Sequence, residues 1–355
     1  MKKLHGVLLL LGLAFLAYLL WRIGLGELGH ELGSLGWGLI PLILSEGAAE
    51  LIHTAGWRHC LSGSLRSVPL MRLFSIRMAG YAINYLTPTA SLGGEITKAA
   101  LLAGNQRGPE AVSGVLLGKL CFGLAHLLFV CLGAVLVLWR LHLPWGLWVG
   151  MLISSGLVAL GMGIFLLLQK RGQLGGLLRW LAARRIGGPA LQRAAGAISE
   201  VDAVLQASYR DRPRELCLAI GWHLLGYSLG IVQAWLFFRL LTPNASWTLA
   251  AGIWFFGMWF DLVTFAVPLN LGTLEGSRIL VLKAFGYSAL LGMTYGVALR
   301  LAQLCWAAFG LATHGWLAAQ AVDRPAASSV APSRPEGQEG PCRAGAPAPG
   351  ISREE

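Results

Sequence analysis

The chain has 355 residues, of which 55% are apolar and only 13% charged, and a formal charge of +11. That charged share is about half of what a soluble domain carries, and several runs of about 20 residues are almost free of charge, which excludes an ordinary soluble fold. The basic excess does not point to nucleic acid, because most of the bases sit in loops between apolar runs, where cytoplasmic retention and anionic lipid account for them.

Met1-Lys2-Lys3 followed by Leu4 to Leu20 resembles a signal peptide, yet the run continues into Trp21-Arg22 without a small-residue cleavage site. An uncleaved first span, about His5 to Trp21, is expected, with Lys2 and Lys3 holding the N-terminus in the cytoplasm. A short outer loop near Glu27 to Glu31 leads to a second span, about Trp37 to Trp57, which returns to Arg58, Arg66, Arg72 and Arg77, read as a cytoplasmic basic stretch. The apolar runs Leu70 to Leu86 and Glu95 to Leu102 are each marginal for spanning and are separated by Pro88 and Gly93-Gly94, so a re-entrant helical hairpin is expected there. Spans from Ala111 to Leu138 and from Trp145 to Leu168 follow. The connector 170–214 holds nine Lys/Arg; within it, Leu177 to Ala195 is either an amphipathic helix on the inner surface or a solvated linker. A span from Glu215 to Leu240, a second broken region from Trp247 to Phe285 and a span from Leu290 to Ala318 mirror the first half upside down. Arg140, Arg239 and Lys283 fall near the outer face and are a minority against the charge rule.

The expected fold class is therefore an all-α polytopic membrane protein, with about six full spans plus two broken re-entrant helical hairpins in an inverted repeat. Residues 1–321 form the transmembrane domain, with halves of about 1–140 and 141–321. The tail, 322–355, switches to Pro, Ala, Ser and Gly and is expected to be disordered. The expected location is the cytoplasmic (inner) membrane, with both termini cytoplasmic. The six cysteines, Cys60, Cys121, Cys131, Cys217, Cys305 and Cys342, have neither disulfide-framework spacing nor a CxxC pair and read as packing residues.

The repeat is carried by chemistry. Thr87-Pro88-Thr89-Ala90-Ser91-Leu92-Gly93-Gly94-Glu95-Ile96-Thr97-Lys98 returns in the second half as Pro268-Leu269-Asn270-Leu271-Gly272-Thr273-Leu274-Glu275-Gly276-Ser277-Arg278. Each copy has Glu seven residues after Pro and a base three after Glu. A second base then follows each Glu at almost the same distance, Lys119 after Glu95 and Arg300 after Glu275. Broken helices at corresponding positions of two inverted halves are the sequence mark of a transporter site near the bilayer midplane.

With Tyr81-x-x-Asn84-x-x-Thr87-Pro88, Gly93-Gly94-Glu95, Pro268-x-x-x-Gly272-x-x-Glu275-Gly276 and Arg300 in view, the chain resembles the lysylphosphatidylglycerol synthase transmembrane (flippase-like) family, including its hopanoid-associated members. The resemblance covers roughly residues 5 to 318. It implies a membrane domain that moves lipids between leaflets; full-length synthases add a soluble aminoacyl-transferase domain. The short tail after Ala321 is too small for that domain, so lipid transport and not aminoacylation is expected, with no cofactor. The implied partners are membrane lipids (an anionic or aminoacylated phospholipid, or a hopanoid) and envelope-lipid biosynthetic enzymes.

Ionised side chains at midplane are costly and are usually paired or face a wet cavity. Glu95, Lys98, Lys119, Glu275, Arg278 and Arg300 are the main candidates for lining one central cavity, with Ser91 and Asn270 as caps of the helix starts. The plain alternative is that Glu95/Lys98 and Glu275/Arg278 are ordinary i,i+3 helix pairs. Glu46, Glu50, Thr54 and Arg58 recur every four residues, so Glu46 and Glu50 either line the same groove or pair structurally. Asp261 corresponds to Tyr81 in the other half. His53, His126, His223 and His314 are isolated within apolar runs and read as packed or hydrogen-bonded histidines in preference to a proton relay. Pro88, Gly93, Gly94, Pro268 and Gly272 are the expected helix breaks.

Two other classes stay open at this point: a membrane-embedded lipid-modifying enzyme, and a non-transporting partner of an envelope-lipid pathway. Against an enzyme, the chain has only four Asp, none paired within an apolar run, and His30-Glu31 lacks the second His of a zinc hydrolase. Gly226-Tyr227-Ser228-Leu229-Gly230 has the serine-hydrolase spacing, but it falls inside a helical run, where small residues serve packing.

Overall fold

The computed structural model describes residues 24–86, 92–103, 108–140, 145–171, 202–242, 245–264 and 272–322, together with residues 18, 21, 173, 176, 180, 184 and 270. Ten α-helices, with a further helical stretch over 202–211, organise these residues: α1 (Leu25–Leu35), α2 (Leu39–Cys60), α3 (Leu70–Leu86), α4 (Leu92–Ala103), α5 (Gly108–Arg140), α6 (Trp145–Lys170), α7 (Pro213–Leu241), α8 (Trp247–Val263), α9 (Thr273–Ala284) and α10 (Ala289–Val322). No strand occurs among the described residues. Proline enters these helices only in first turns, as Pro41, Pro109 and Pro213, where its missing N–H costs no hydrogen bond. Ser246 starts α8 by accepting a hydrogen bond from the Leu249 N–H at 3.1 Å.

Five stretches are long and apolar enough to cross a membrane: Gly26–Cys60, Gly108–Ala134, Val149–Leu168, Pro213–Leu241 and Ala289–Leu317. The chain is a multi-pass membrane protein. The first expected span, His5 to Trp21, lies almost wholly outside the described residues, as do most of Leu177 to Ala195, the tail, Pro88, Ser91 and Pro268. One expectation is corrected: the outer loop near Glu27 to Glu31 is helix α1, joined to α2 through a 3-10 turn at Gly36–Gly38. Its buried Leu28 and Leu35 lie two turns apart on one stripe of the helix, and α1 packs on α7 and α10.

Both broken regions form antiparallel helix pairs. Gly94 meets Asn84 and Gly80 across α3–α4; Arg278 meets Gly257 and Asp261 across α8–α9. In each pair a helix of 17 residues is followed by one of 12. Twelve residues rise only ~18 Å, well short of the ~30 Å hydrocarbon layer.

The repeat in the sequence is matched in the packing. α3 lies on α10 as α8 lies on α5, α2 on α10 as α7 on α5, and α4 on α5 as α9 on α10. The offset that carries Pro88 onto Pro268 even carries the contact of Ser75 with Thr313 onto that of Phe255 with Gly133. The equivalent helices α2 and α7 are also packing partners and run in opposite directions: Gly38 lies by Leu240, His53 by His223 and His59 by Glu215. Equivalent elements that oppose one another are what an axis lying in the membrane plane produces. By contrast, only 6% of the Val149–Leu168 window of α6 is buried. Its apolar surface is left for lipid.

Close helix approach depends on glycine. A Cβ on Gly310 would sit 2.1 Å from the Met78 carbonyl oxygen, and one on Gly47 would sit 1.8 Å from the Trp306 ring. Since lipid tails are as apolar as the side chains, this tight packing supplies much of the association between helices. Gly310→Val should therefore lower stability in detergent by roughly 1–3 kcal/mol. Gly315→Val on the same helix meets nothing within 4 Å and should have little effect, a contrast read by thermal unfolding of the two purified variants.

Candidate functional site

A cavity of about 390 Å³ lies where the halves meet. Its lining comes from α2 (Glu50, Trp57), α3 (Arg77, Tyr81, Asn84, Tyr85), α4 (Glu95, Lys98), α5 (Lys119, Phe122), α8 (Asp261), Asn270 and α10 (Gln303). The α3–α4 hairpin carries its charge there because Glu95 sits in the first turn of α4 and Lys98 one turn later, so both lie on the face turned toward α3 and α5. Lys98 Nζ stands 2.5 Å from Glu95 Oε2, and Lys119 Nζ stands 3.3 Å from Glu95 Oε1. Lys98 also lies 5.7 Å from the centre of the Trp57 ring, so a cation–π contact supports its charge.

Across the cavity, Arg77 Nε donates to Glu50 Oε2 at 2.6 Å, and its guanidinium lies 5.4 Å from the Phe122 ring. The lining holds three carboxylates (Glu50, Glu95, Asp261) and three bases (Arg77, Lys98, Lys119), so its formal charge balances. The members differ in freedom. The side chains of Glu50, Arg77, Glu95 and Lys98 are 11–13% exposed, whereas that of Lys119 is 47% exposed. Lys119 is the base with room to change partner.

The corresponding groups of the second half come together but do not line this cavity. Arg300 makes a two-pronged pair with Glu275 through Nε and Nη2, donates to the Asn270 carbonyl at 3.0 Å, and reaches into the first half to the Tyr85 hydroxyl at 3.2 Å. Glu275 is 0% exposed. Its carboxylate also accepts the Gly272 N–H at 3.1 Å, closing the first turn of α9. Gly272, at φ 72°, takes the cap position expected for Asn270. Arg278 turns away from Glu275 to Asp261, with Nη2 2.9 Å from Oδ2. The six charged groups expected to line one cavity fall into two sets. Glu95, Lys98 and Lys119 line it, whereas Glu275 and Arg278, 0% and 2% exposed, lie beside it with Arg300 and Asp261 as their partners.

Glu46 lies in an adjoining cavity, and Glu50 borders both. Gly93 and Gly94 stand inside the first turn of α4, and the Gly94 N–H donates to Asn84 Oδ1 at 2.7 Å. Arg77 is the main residue missed by sequence reasoning. It was grouped with the cytoplasmic bases, yet it lies mid-way along α3 and faces Glu50. The available signal was its place inside an apolar run. His53 and His223 bond each other, their Nδ1 atoms meeting at 3.0 Å, a partner that the sequence did not name. Gly226 packs on His53 and Gly230 on Trp254, and Ser228 Oγ bonds the Leu224 carbonyl within the helix, in keeping with the packing reading of that motif.

Breaking a buried pair strands a charge. Glu275→Ala should cost about 3–5 kcal/mol of stability, with part restored by adding Arg300→Leu. Lys119→Ala, at a half-exposed position, should cost under about 1 kcal/mol. A double-mutant cycle by thermal unfolding checks both.

The chain matches the family described as Lysylphosphatidylglycerol synthase TM region over residues 6–311. No curated protein and no solved structure matches it. The match takes in both broken hairpins, the cavity between them and the Glu275–Arg300 pair, and on that coverage the chain belongs to the lysylphosphatidylglycerol synthase transmembrane family.

Proposed function

We propose that this protein moves a phospholipid or related envelope lipid between the leaflets of the cytoplasmic membrane, with the headgroup passing through the cavity between the halves and the acyl chains left in the bilayer. The observation that carries this reading is Lys119, a half-exposed base shared with Glu95 on a charge-balanced cavity at the junction of an inverted repeat. A volume of about 390 Å³ falls within the ~300–1,000 Å³ of small-ligand sites. It admits a polar headgroup and excludes two acyl chains as well.

The chemistry follows from the pairings. A phosphate entering the cavity takes Lys119 from Glu95, while Glu95 keeps Lys98 and no carboxylate is stranded. A strongly held base could not be released so cheaply, and Arg300 is such a base. The 12-residue helices α4 and α9 are read as re-entrant arms, which leave water-accessible backbone where a spanning helix would leave none. Family membership supports the same direction, since the matched region is the transmembrane part of a lipid synthase.

The test is leaflet exchange of a fluorescent phosphatidylglycerol in liposomes reconstituted with the purified protein. Wild type should accelerate exchange, and Lys119→Ala should slow it by roughly ten- to a hundredfold, the value of one charge-assisted contact. A chemically altered lipid would instead show an enzyme. Neither exchange nor alteration would leave a partner role in a lipid pathway and end this reading.

A further inference from the structure

The adjoining cavity, about 220 Å³, shares Glu50, Phe122, Asp261 and Gln303 with the first and has no part in the headgroup reading. Glu46, Glu50 and His53 follow one another along one face of α2, and this face meets α7. Glu50 is held by Arg77, and Asp261 by Arg278. Glu46 is different. Among the described residues it has no base; its one bond is from Gln233 Nε2 at 3.3 Å, and that amide also donates to the Leu42 carbonyl at 3.0 Å.

Two turns further along the same helix, His53 Nδ1 meets His223 Nδ1 at 3.0 Å. Such a bond forms only when one ring donates and the other accepts, so it holds a single proton, and a second proton breaks it. His223 is 0% exposed, and its Nε2 has no partner. The imidazole pair therefore shares one proton and joins helices of opposite halves, with Arg77 and Lys98 the cations nearest to it.

Glu46 stands among many titratable groups. On its own helix stand Glu50 and His53, on α3 Arg77, Tyr81 and Tyr85, on α5 His126, on α7 His223 and Tyr227, on α8 Asp261, and on α10 Tyr295, with Arg300 beyond Tyr85. The bases among them are engaged, Arg77 by Glu50 and Arg300 by Glu275. In its cavity Glu46 meets two further carboxyls, Glu50 on its own helix and Asp261 on α8, each already held by a base of its own. A partly buried carboxyl that has other carboxyls for neighbours and no base of its own is a group able to take up a proton.

We infer that Glu46 and the His53–His223 pair form a proton-binding site on the α2–α7 seam, and that a proton taken up there from one side and released to the other drives the lipid step. The driving role rests on the transport reading; the proton site does not. Loading the site neutralises Glu46 and alters the His–His contact between the halves, so it biases their relative position. One coupled proton lets a gradient of one pH unit skew the leaflet distribution by up to about tenfold.

The experiment uses the same proteoliposomes with an imposed pH gradient, and the fluorescent phosphatidylglycerol as probe. Wild type should build a leaflet asymmetry that a protonophore collapses; Glu46→Gln should keep exchange and lose the asymmetry. Exchange in wild type that ignores the gradient overturns the coupling and leaves the transport reading standing. If wild type moves no lipid, the transport reading fails, and with it the coupling. The proton site is then decided by infrared difference spectra between acid and alkaline pH, in which a protonated-carboxyl band present in wild type and missing in Glu46→Gln supports it, and no such band overturns it. Should Glu46→Gln fail to fold, His53→Gln is read in its place, with loss of the asymmetry as the supporting result and an unchanged asymmetry as the overturning one.

Discussion

Charge inside an apolar layer must bring its own counter-charge, and this requirement shapes the membrane core of the protein. Glu50 on α2 is answered by Arg77 on α3, Glu95 on α4 by Lys119 on α5, Asp261 on α8 by Arg278 on α9, and Glu275 on α9 by Arg300 on α10. Each of these pairs joins two helices. The pairs therefore locate the short helices, which on length alone have too little apolar surface to fix their own depth. Buried ion pairs contribute little net stability once desolvation is counted, so their value here is positional. They set which face of each short helix looks inward.

Shape has to cooperate with charge. Gly80 lets Lys98 lie along α3, and Gly257 lets the Arg278 guanidinium lie against α8; a Cβ at these positions would come within 2.5 and 2.6 Å of those side chains. The two halves thus solve one problem in the same way, a base laid over a glycine of the preceding helix. Arg300 closes the assembly by reaching from Glu275 to Tyr85, which ties the second half's charge pair to the first half's hairpin.

Much of this was legible in the sequence, and the reasons are physical. A Pro, a Gly pair and an acid/base pair inside an apolar run cannot be a plain spanning helix, so both hairpins and their repetition could be read before any fold was known. Pairing across long separations could not. His53 and His223 are 170 residues apart, and nothing local distinguishes them from packed histidines. Arg77 was misread because a linear charge count pools it with Arg58, Arg66 and Arg72, whereas three-dimensional pairing sets it against Glu50, 27 residues earlier. Glu27 and Glu31 suggested a loop because they are acidic. Their spacing of about one helical turn, with leucines between and around them, was a helix signal that polarity masked.

The two halves share a skeleton but hold their bases differently, and one position accounts for the difference. Where the second half has Asp261, the first has Tyr81. Asp261 takes Arg278, which leaves Glu275 for Arg300, and both bases of that repeated motif are held. With Tyr81 at the equivalent place, Lys98 has no such acid on the preceding helix to turn to and closes on Glu95, so Lys119 must share that carboxylate and stays half exposed. The same inherited pattern of Pro, Glu, base and base therefore yields a locked framework on one side and an exchangeable base on the other. The proposed transport would use both: rigid groups that define the path, and one contact weak enough to be given up to a passing headgroup.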